Sequence, residues 1–167
     1  RLSLQGKVPT VKLNAPVPID LALVDDATPQ PLPKLGVSLA QTLQPLSERE
    51  VDRLRALKLT YLRAELKLSE TGWTAYLQHA IAQANRVELP LEFVLVVSDE
   101  ADAELDALTA ALDAHKPSIY AFLSWHRDQM IAPDACMALV RQKLARYAMP
   151  IGAGSKANFA ELNRAWP

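Results

Sequence analysis

The feature that most constrains this chain is a repeat of apolar run, polar turn and amphipathic stretch at a nearly constant interval. Apolar runs begin near residues 35, 60, 91, 118 and 149. Their spacing matches one strand plus the crossover that returns the chain to a parallel neighbour. Strand and helix alternating on this scale imply a parallel sheet with right-handed crossovers. The expected strands are 35–40, 60–66, 89–97, 118–125 and 150–153. In the second, Leu62, Ala64 and Leu66 fall on one face and Tyr61, Arg63 and Glu65 on the other. The third is apolar almost without interruption, as suits a strand covered on both sides.

Helix signals fill the gaps. Ser47 followed by Glu50 spells a capping box, with Leu46 and Val51 at the staple positions and Val51, Leu54 and Leu57 on one face. A second helix is expected near Trp73, with Trp73, Leu77, Ala80, Ile81 and Ala84 as its stripe. Ser98, Asp99 and Asp102 are candidate N-caps of a third, striped by Leu105, Leu108 and Leu112. Pro133 suits the first position of a fourth, with Cys136, Leu139, Val140, Leu144 and Tyr147 inward.

Two architectures carry such a repeat: a (β/α)8 barrel and an open doubly wound sheet. No Gly-x-Gly-x-x-Gly follows the first strand, which removes the main support for the nucleotide-binding version of the second. A closed barrel takes about 250 residues and the repeat region holds about 130. The expected fold is therefore α/β, a truncated (β/α)8 TIM barrel of five strands and four helices, occupying residues 34–167 as the N-terminal part of the barrel. Residues 1–33 differ. They hold half of the 12 prolines, and Leu2, Leu4, Val11, Leu13, Ile19, Leu21 and Leu23 alternate with polar or small residues. This segment reads as short antiparallel strands, the tail of a β-domain, with 25–33 as linker.

Composition narrows the function. A net charge of −1 with 18 Lys+Arg spread along the chain offers no basic stripe to nucleic acid. No apolar run approaches the ~20 residues of a membrane span. One cysteine, Cys136, excludes an internal disulfide framework and suits a core position. A lone cysteine is compatible with a reducing compartment, and a cytoplasmic location is expected; the opening Arg1-Leu-Ser-Leu-Gln5 is unlike a signal peptide, and a chain beginning without Met is expected to be a piece of a longer protein. Walker-type loops, His-x-x-x-His pairs, Gly-x-Ser-x-Gly elbows and Cys-x-x-Cys pairs do not occur, and no cofactor or metal is expected.

In a parallel barrel, chemistry sits where strands end. That rule selects Ser38 and Gln41; Arg63, Glu65 and Lys67; Ser98 and Asp99; Ser124, Trp125 and His126; and a cluster after the fifth strand. Glu65 can hold a substrate hydroxyl or act as a base, or else Arg63 and Glu65 form an ion pair that only fills a barrel layer. Trp125 is a natural platform for a sugar ring and His126 a proton carrier, or else the pair is a core cap beside a solvated imidazole. The terminal cluster holds Ser155, Lys156, Asn158, Glu161, Asn163 and Arg164 behind Gly152 and Gly154. Glu161 can serve as acid or base, Asn163 can hold a hydroxyl or carbonyl, and Arg164 can face developing negative charge. The competing reading is a capped helical turn with a Glu161–Arg164 surface pair.

Residues 154–164, Gly-Ser-Lys-Ala-Asn-Phe-Ala-Glu-Leu-Asn-Arg, resemble the Gly-Thr-x-Ala-x-Phe-Thr-Glu-Leu-Asn-Arg signature of the D-apionate lactonase family. Residues 46–50 and 62–66 are similar to its Leu-Ser-Glu-x-Glu and Leu-Arg-Val-Asp-Leu segments. The resemblance spans roughly residues 32–167, and the last motif is its specific part. It implies a glycosidase-like barrel with an accompanying β-domain, and hydrolysis of a sugar lactone to the hydroxy acid. By motif it assigns catalysis to Glu161 with Glu65, and substrate binding to Arg63, Ser155, Asn163 and Arg164, beside Trp125, His126 and Asn158 chosen above. Glu65 stands where the family has Asp, Ser155 where it has Thr, and Lys156 adds a charge; these departures permit a different sugar. The alternatives are a glycoside hydrolase of related architecture and a non-catalytic carbohydrate-binding half-barrel. An open five-strand edge also favours self-association.

Overall fold

The computed structural model describes residues 33–155. The short strands expected before Pro33, and motif residues Lys156, Asn158, Glu161, Asn163 and Arg164, lie outside the described residues.

Five strands and four helices alternate: β1 Gly36–Ser38, α1 Glu48–Ala56, β2 Tyr61–Lys67, α2 Trp73–Val87, β3 Leu91–Val97, α3 Ala101–His115, β4 Ile119–His126, α4 Asp134–Leu144 and β5 Ile151–Ala153. A 3-10 turn, Ala145–Tyr147, extends α4. Every adjacent pair is parallel, and the strand order is β1-β2-β3-β4-β5. A doubly wound sheet must reverse its order at a switch point. This one never does, so it is wound in one direction only, as a partial TIM barrel.

Register partners in a parallel pair point to the same face, which sorts the side chains into two layers. Leu62 pairs with Leu91, Ala64 with Phe93 and then Phe122, and Leu66 with Leu95. All of these are fully buried against the helices. Leu77 and Ala80 of α2, Leu105, Leu108 and Leu112 of α3, and Val140 and Leu144 of α4 close over them. Each buried leucine or phenylalanine contributes roughly 1.5–3 kcal/mol, so this layer supplies most of the fold's driving force. The opposite face carries Arg63 beside Glu92, Glu65 beside Val94 and Leu123, and Lys67 beside Val96 and Trp125.

Local signals explain the boundaries. The capping box at Ser47 is complete: Ser47 N donates to Glu50 Oε2 at 2.7 Å, and Glu50 N donates to Ser47 Oγ at 3.4 Å. The Ser47 hydroxyl, which also donates to Oε2 at 2.7 Å, and the Ser47 N–H together hold the Glu50 carboxyl below its ordinary value. Val51 at the staple position is buried. Residue 72 starts α2 at φ +93°, a left-handed backbone that glycine adopts without a Cβ penalty. The buried Gln83 of α2 accepts from Leu46 N at 3.0 Å, while Arg86 donates to Leu46 O at 2.5 Å. The entry to α1 is thereby clamped to α2.

Two helix starts differ from the sequence expectation. None of Ser98, Asp99 and Asp102 caps α3; Glu100 occupies that position without a side-chain bond. Ser98 is instead taken by Glu104, whose carboxylate accepts from Ser98 N at 2.9 Å and Oγ at 2.6 Å. A charged acceptor one turn into the helix outcompetes a local serine cap. Pro133 is the N-cap of α4 rather than its first residue. Its extended backbone (ψ 147°) precedes the first helical residue, Asp134, by one position. No helix among the described residues is long and apolar enough to cross a membrane.

Candidate functional site

Strand parity decides which of the selected residues meet. On β2, Arg63, Glu65 and Lys67 alternate with the buried leucine layer and so share the inner face. On β4, Leu123 and Trp125 share that face, whereas Phe122, Ser124 and His126 are buried on the helix side. Two adjoining concavities result, each about 230 Å³. One is lined by Ser38, Leu39, Gln41, Arg63, Glu65 and Trp125, among others. The other is lined by Glu65, Lys67, Ser69, Glu70, Trp125 and Arg127, among others. Glu65 and Trp125 belong to both, so a carboxylate and an indole form the partition of the site.

The indole keeps its place because the neighbouring strand yields space. A Cβ at Gly154 would overlap the Trp125 ring, and one at Gly152 would lie 2.8 Å from Leu123 Cδ2. The backbone of Gly154 meanwhile donates to Ser124 O at 2.9 Å, which fixes it against β4. Trp125 Nε1 and Ser124 Oγ are buried and make no hydrogen bond among the described residues. Gly154→Val is expected to push the indole out of the partition and cost about 1–3 kcal/mol by overpacking. Urea denaturation followed by tryptophan emission checks this; an unchanged midpoint and spectrum would show that the ring does not depend on the glycine.

Arg63 is not paired with Glu65. Its Nε donates to Glu92 Oε2 at 2.5 Å, across the β2–β3 register. That bond, outweighing the partial burial of the guanidinium, raises the Arg63 pKa further above its ordinary value. The expected Arg63–Glu65 layer pair is corrected to Arg63–Glu92. Residues two apart on a strand share a face but stand about 6.6 Å apart along it, whereas a register partner lies about 4.8 Å away. Glu92, which the sequence reading passed over, is buried. Its trace was a lone acid in the otherwise apolar run 91–97, a residue type that is rarely buried without a partner. The other cations lining the site are also engaged: Lys67 with Glu70 at 3.5 Å and Arg127 with Asp128 at 3.0 Å. Glu65 has no ion pair among the described residues; its backbone carbonyl accepts from Gln41 Nε2 at 3.0 Å.

His126 sits apart from Trp125, on the other side of the sheet. It lines a separate cleft with Ser98, Asp99, Pro133, Cys136 and Leu139, among others. Its Nδ1 accepts from Asp128 N at 3.2 Å, and its Nε2 stands 3.4 Å from Asp99 Oδ1. An acceptor Nδ1 places the proton on Nε2, aimed at Asp99. Cys136 in the same cleft is half-buried, and burial pushes its thiol up, away from nucleophilic use. Ser155 donates to Met130 O at 3.1 Å and bridges Ile131, so the start of the motif is tied to the β4–α4 loop. Asn158, Glu161, Asn163 and Arg164 lie outside the described residues. No group of three or more His, Cys, Asp or Glu side chains able to hold a metal ion occurs among the described residues.

Comparison with known proteins adds one finding. A family model described as D-apionate lactonase, TIM barrel domain, matches residues 35–167. No curated protein and no solved structure matches the chain.

Proposed function

Since this chain belongs to the D-apionate lactonase family, matching its TIM barrel domain over residues 35–167, we propose that it is a hydrolase that opens the ring ester of a sugar-derived lactone resembling D-apionolactone. The observation that carries this reading is the inner-face partition of Glu65 and Trp125, at the strand ends where barrels keep their chemistry. An indole offers an apolar plane to the C–H face of a sugar ring. A carboxylate beside it accepts hydrogen bonds from the ring hydroxyls.

Opening the ester needs water delivered to the carbonyl carbon. On this reading Glu161 takes a proton as the water oxygen bonds to that carbon. Asn163 and Arg164 donate to the oxyanion that forms. Collapse of the tetrahedral species breaks the bond to the ring oxygen, which leaves as an alkoxide and regains the proton. The product is a hydroxy acid. Arg63 lines the concavity and binds substrate there, Glu65 holds a substrate hydroxyl, and Ser155 and Asn158 complete the binding set. His126 supports the site from behind the sheet through Asp99 and the Asp128 backbone.

The test is to incubate the protein with aldono- and apionolactones and follow acid release at constant pH. Stoichiometric acid with ring opening is expected, with aryl glycosides untouched. Cleavage of aryl glycosides without lactone opening would overturn the reading in favour of a glycosidase. Such an enzyme would use Glu65 as one of its two carboxylates.

A further inference from the structure

Every cation lining the two concavities already has another acid. Arg63 is held by Glu92, Lys67 by Glu70 and Arg127 by Asp128. Only the first of these pairs is shielded: the Glu92 side chain is 8% exposed, and the members of the other two are each 44% or more. Exposed pairs hold their partners weakly. The residue that benefits is Glu65, which lies between Arg63 and Lys67 on one face of β2 and carries no ion pair among the described residues. A guanidinium on a long side chain would reach a carboxylate two residues along the same strand face if nothing else engaged it.

We propose that Glu92 is a positioning residue: by holding the Arg63 guanidinium on the β3 side, it leaves the Glu65 carboxylate uncommitted and open to a ligand in the concavity. The sugar-lactone nature of that ligand rests on the function proposed above; the charge arrangement rests only on the geometry. A carboxylate locked to an arginine is a poor acceptor for a hydroxyl and a poor base, because its lone pairs are engaged and its proton affinity is lowered. The other titratable side chains that face Glu65 or feel its charge are Lys67, Glu70, Arg127 and Tyr76.

The experiment is a carboxyl-carbon NMR titration of Glu65 in the full chain, assigned by its loss in Glu65→Gln. Glu92→Leu removes the competing acceptor. The Glu65 titration is expected to move to lower pH by about one unit as Arg63 turns to it. It should return to the wild-type position in Glu92→Leu/Arg63→Met. The gentler Glu92→Gln keeps the shape of the site and should move Glu65 less, in the same direction, should Glu92→Leu fail to fold. In parallel, lactone turnover by folded Glu92→Leu should fall at least tenfold, with the double variant not restoring the rate because Arg63 is lost. An unmoved Glu65 titration in every folded Glu92 variant would overturn the proposal. A shifted titration with no lactone turnover by the wild-type chain would uphold it and sink the lactonase reading instead.

Discussion

Glu161→Gln is expected to slow lactone opening by about 10²–10⁴-fold, the range lost when a positioned general base is removed. The amide keeps the size and the acceptor oxygen of the carboxylate but cannot take a proton from water. The loss should therefore fall on kcat, with KM within roughly threefold of wild type, because ground-state contacts survive. Steady-state acid release over a range of lactone concentrations measures both. Undiminished turnover would mean that the base lies elsewhere, and Glu65 would be the next residue to replace. The assignment of Glu161 comes from the Glu-Leu-Asn-Arg motif and from its position in the chain shortly after β5.

Arg63→Leu is expected to destabilise the fold by about 2 kcal/mol at neutral pH. That is below the ~3–5 kcal/mol of a fully buried pair, since the Arg63 side chain is 38% exposed. The cost comes from the acid left behind rather than from the lost arginine. Glu92, buried among β-strand neighbours, would face ionisation without a counter-charge. In that variant the folded state favours the protonated acid, so Glu92 titrates above its unfolded value of about 4.3. The sign follows: the folded chain binds more protons than the unfolded one above that pH, and stability declines as pH rises. The deficit is largest near pH 7 and shrinks toward pH 4. Urea midpoints at pH 4.5 and 7 check the prediction, and Arg63→Leu/Glu92→Leu should recover most of the loss at neutral pH. Equal deficits at both pH values would point to packing instead.

Both predictions turn on residues that differ in how readily a sequence reveals them. The sheet was readable because strands and helices alternate at a fixed spacing, and each strand met its sequence neighbour, the simplest order that spacing allows. The capping box at Ser47 and Glu50 was readable because all its partners lie within four residues. Arg63–Glu92 was not, since it joins positions 29 residues apart through a register that only the folded sheet sets. An apolar run also conceals its one acid when it is scanned for hydrophobicity. The parting of Trp125 from His126 was within reach: consecutive strand residues point to opposite faces, and pairing them as one unit overlooked that rule. The cap of α3 was lost to Glu104, whose reach back to Ser98 depends on how the loop folds over the helix start.

The glycines on, and just after, the flanking strands carry a last consequence. Gly36 gives room to Tyr61, and Gly152 and Gly154 give room to Leu123 and Trp125. Size and charge are thus governed by separate parts of the chain. The charged groups of the inner face stand chiefly on β2 and β3, while β1 and β5 contribute hollows. A descendant of this protein could admit a bulkier or slimmer ligand by altering β1 or β5 alone, with its ionised groups left where they are. The reverse also holds: exchanging acids and bases on the middle strands would change what the hollow attracts without changing what fits.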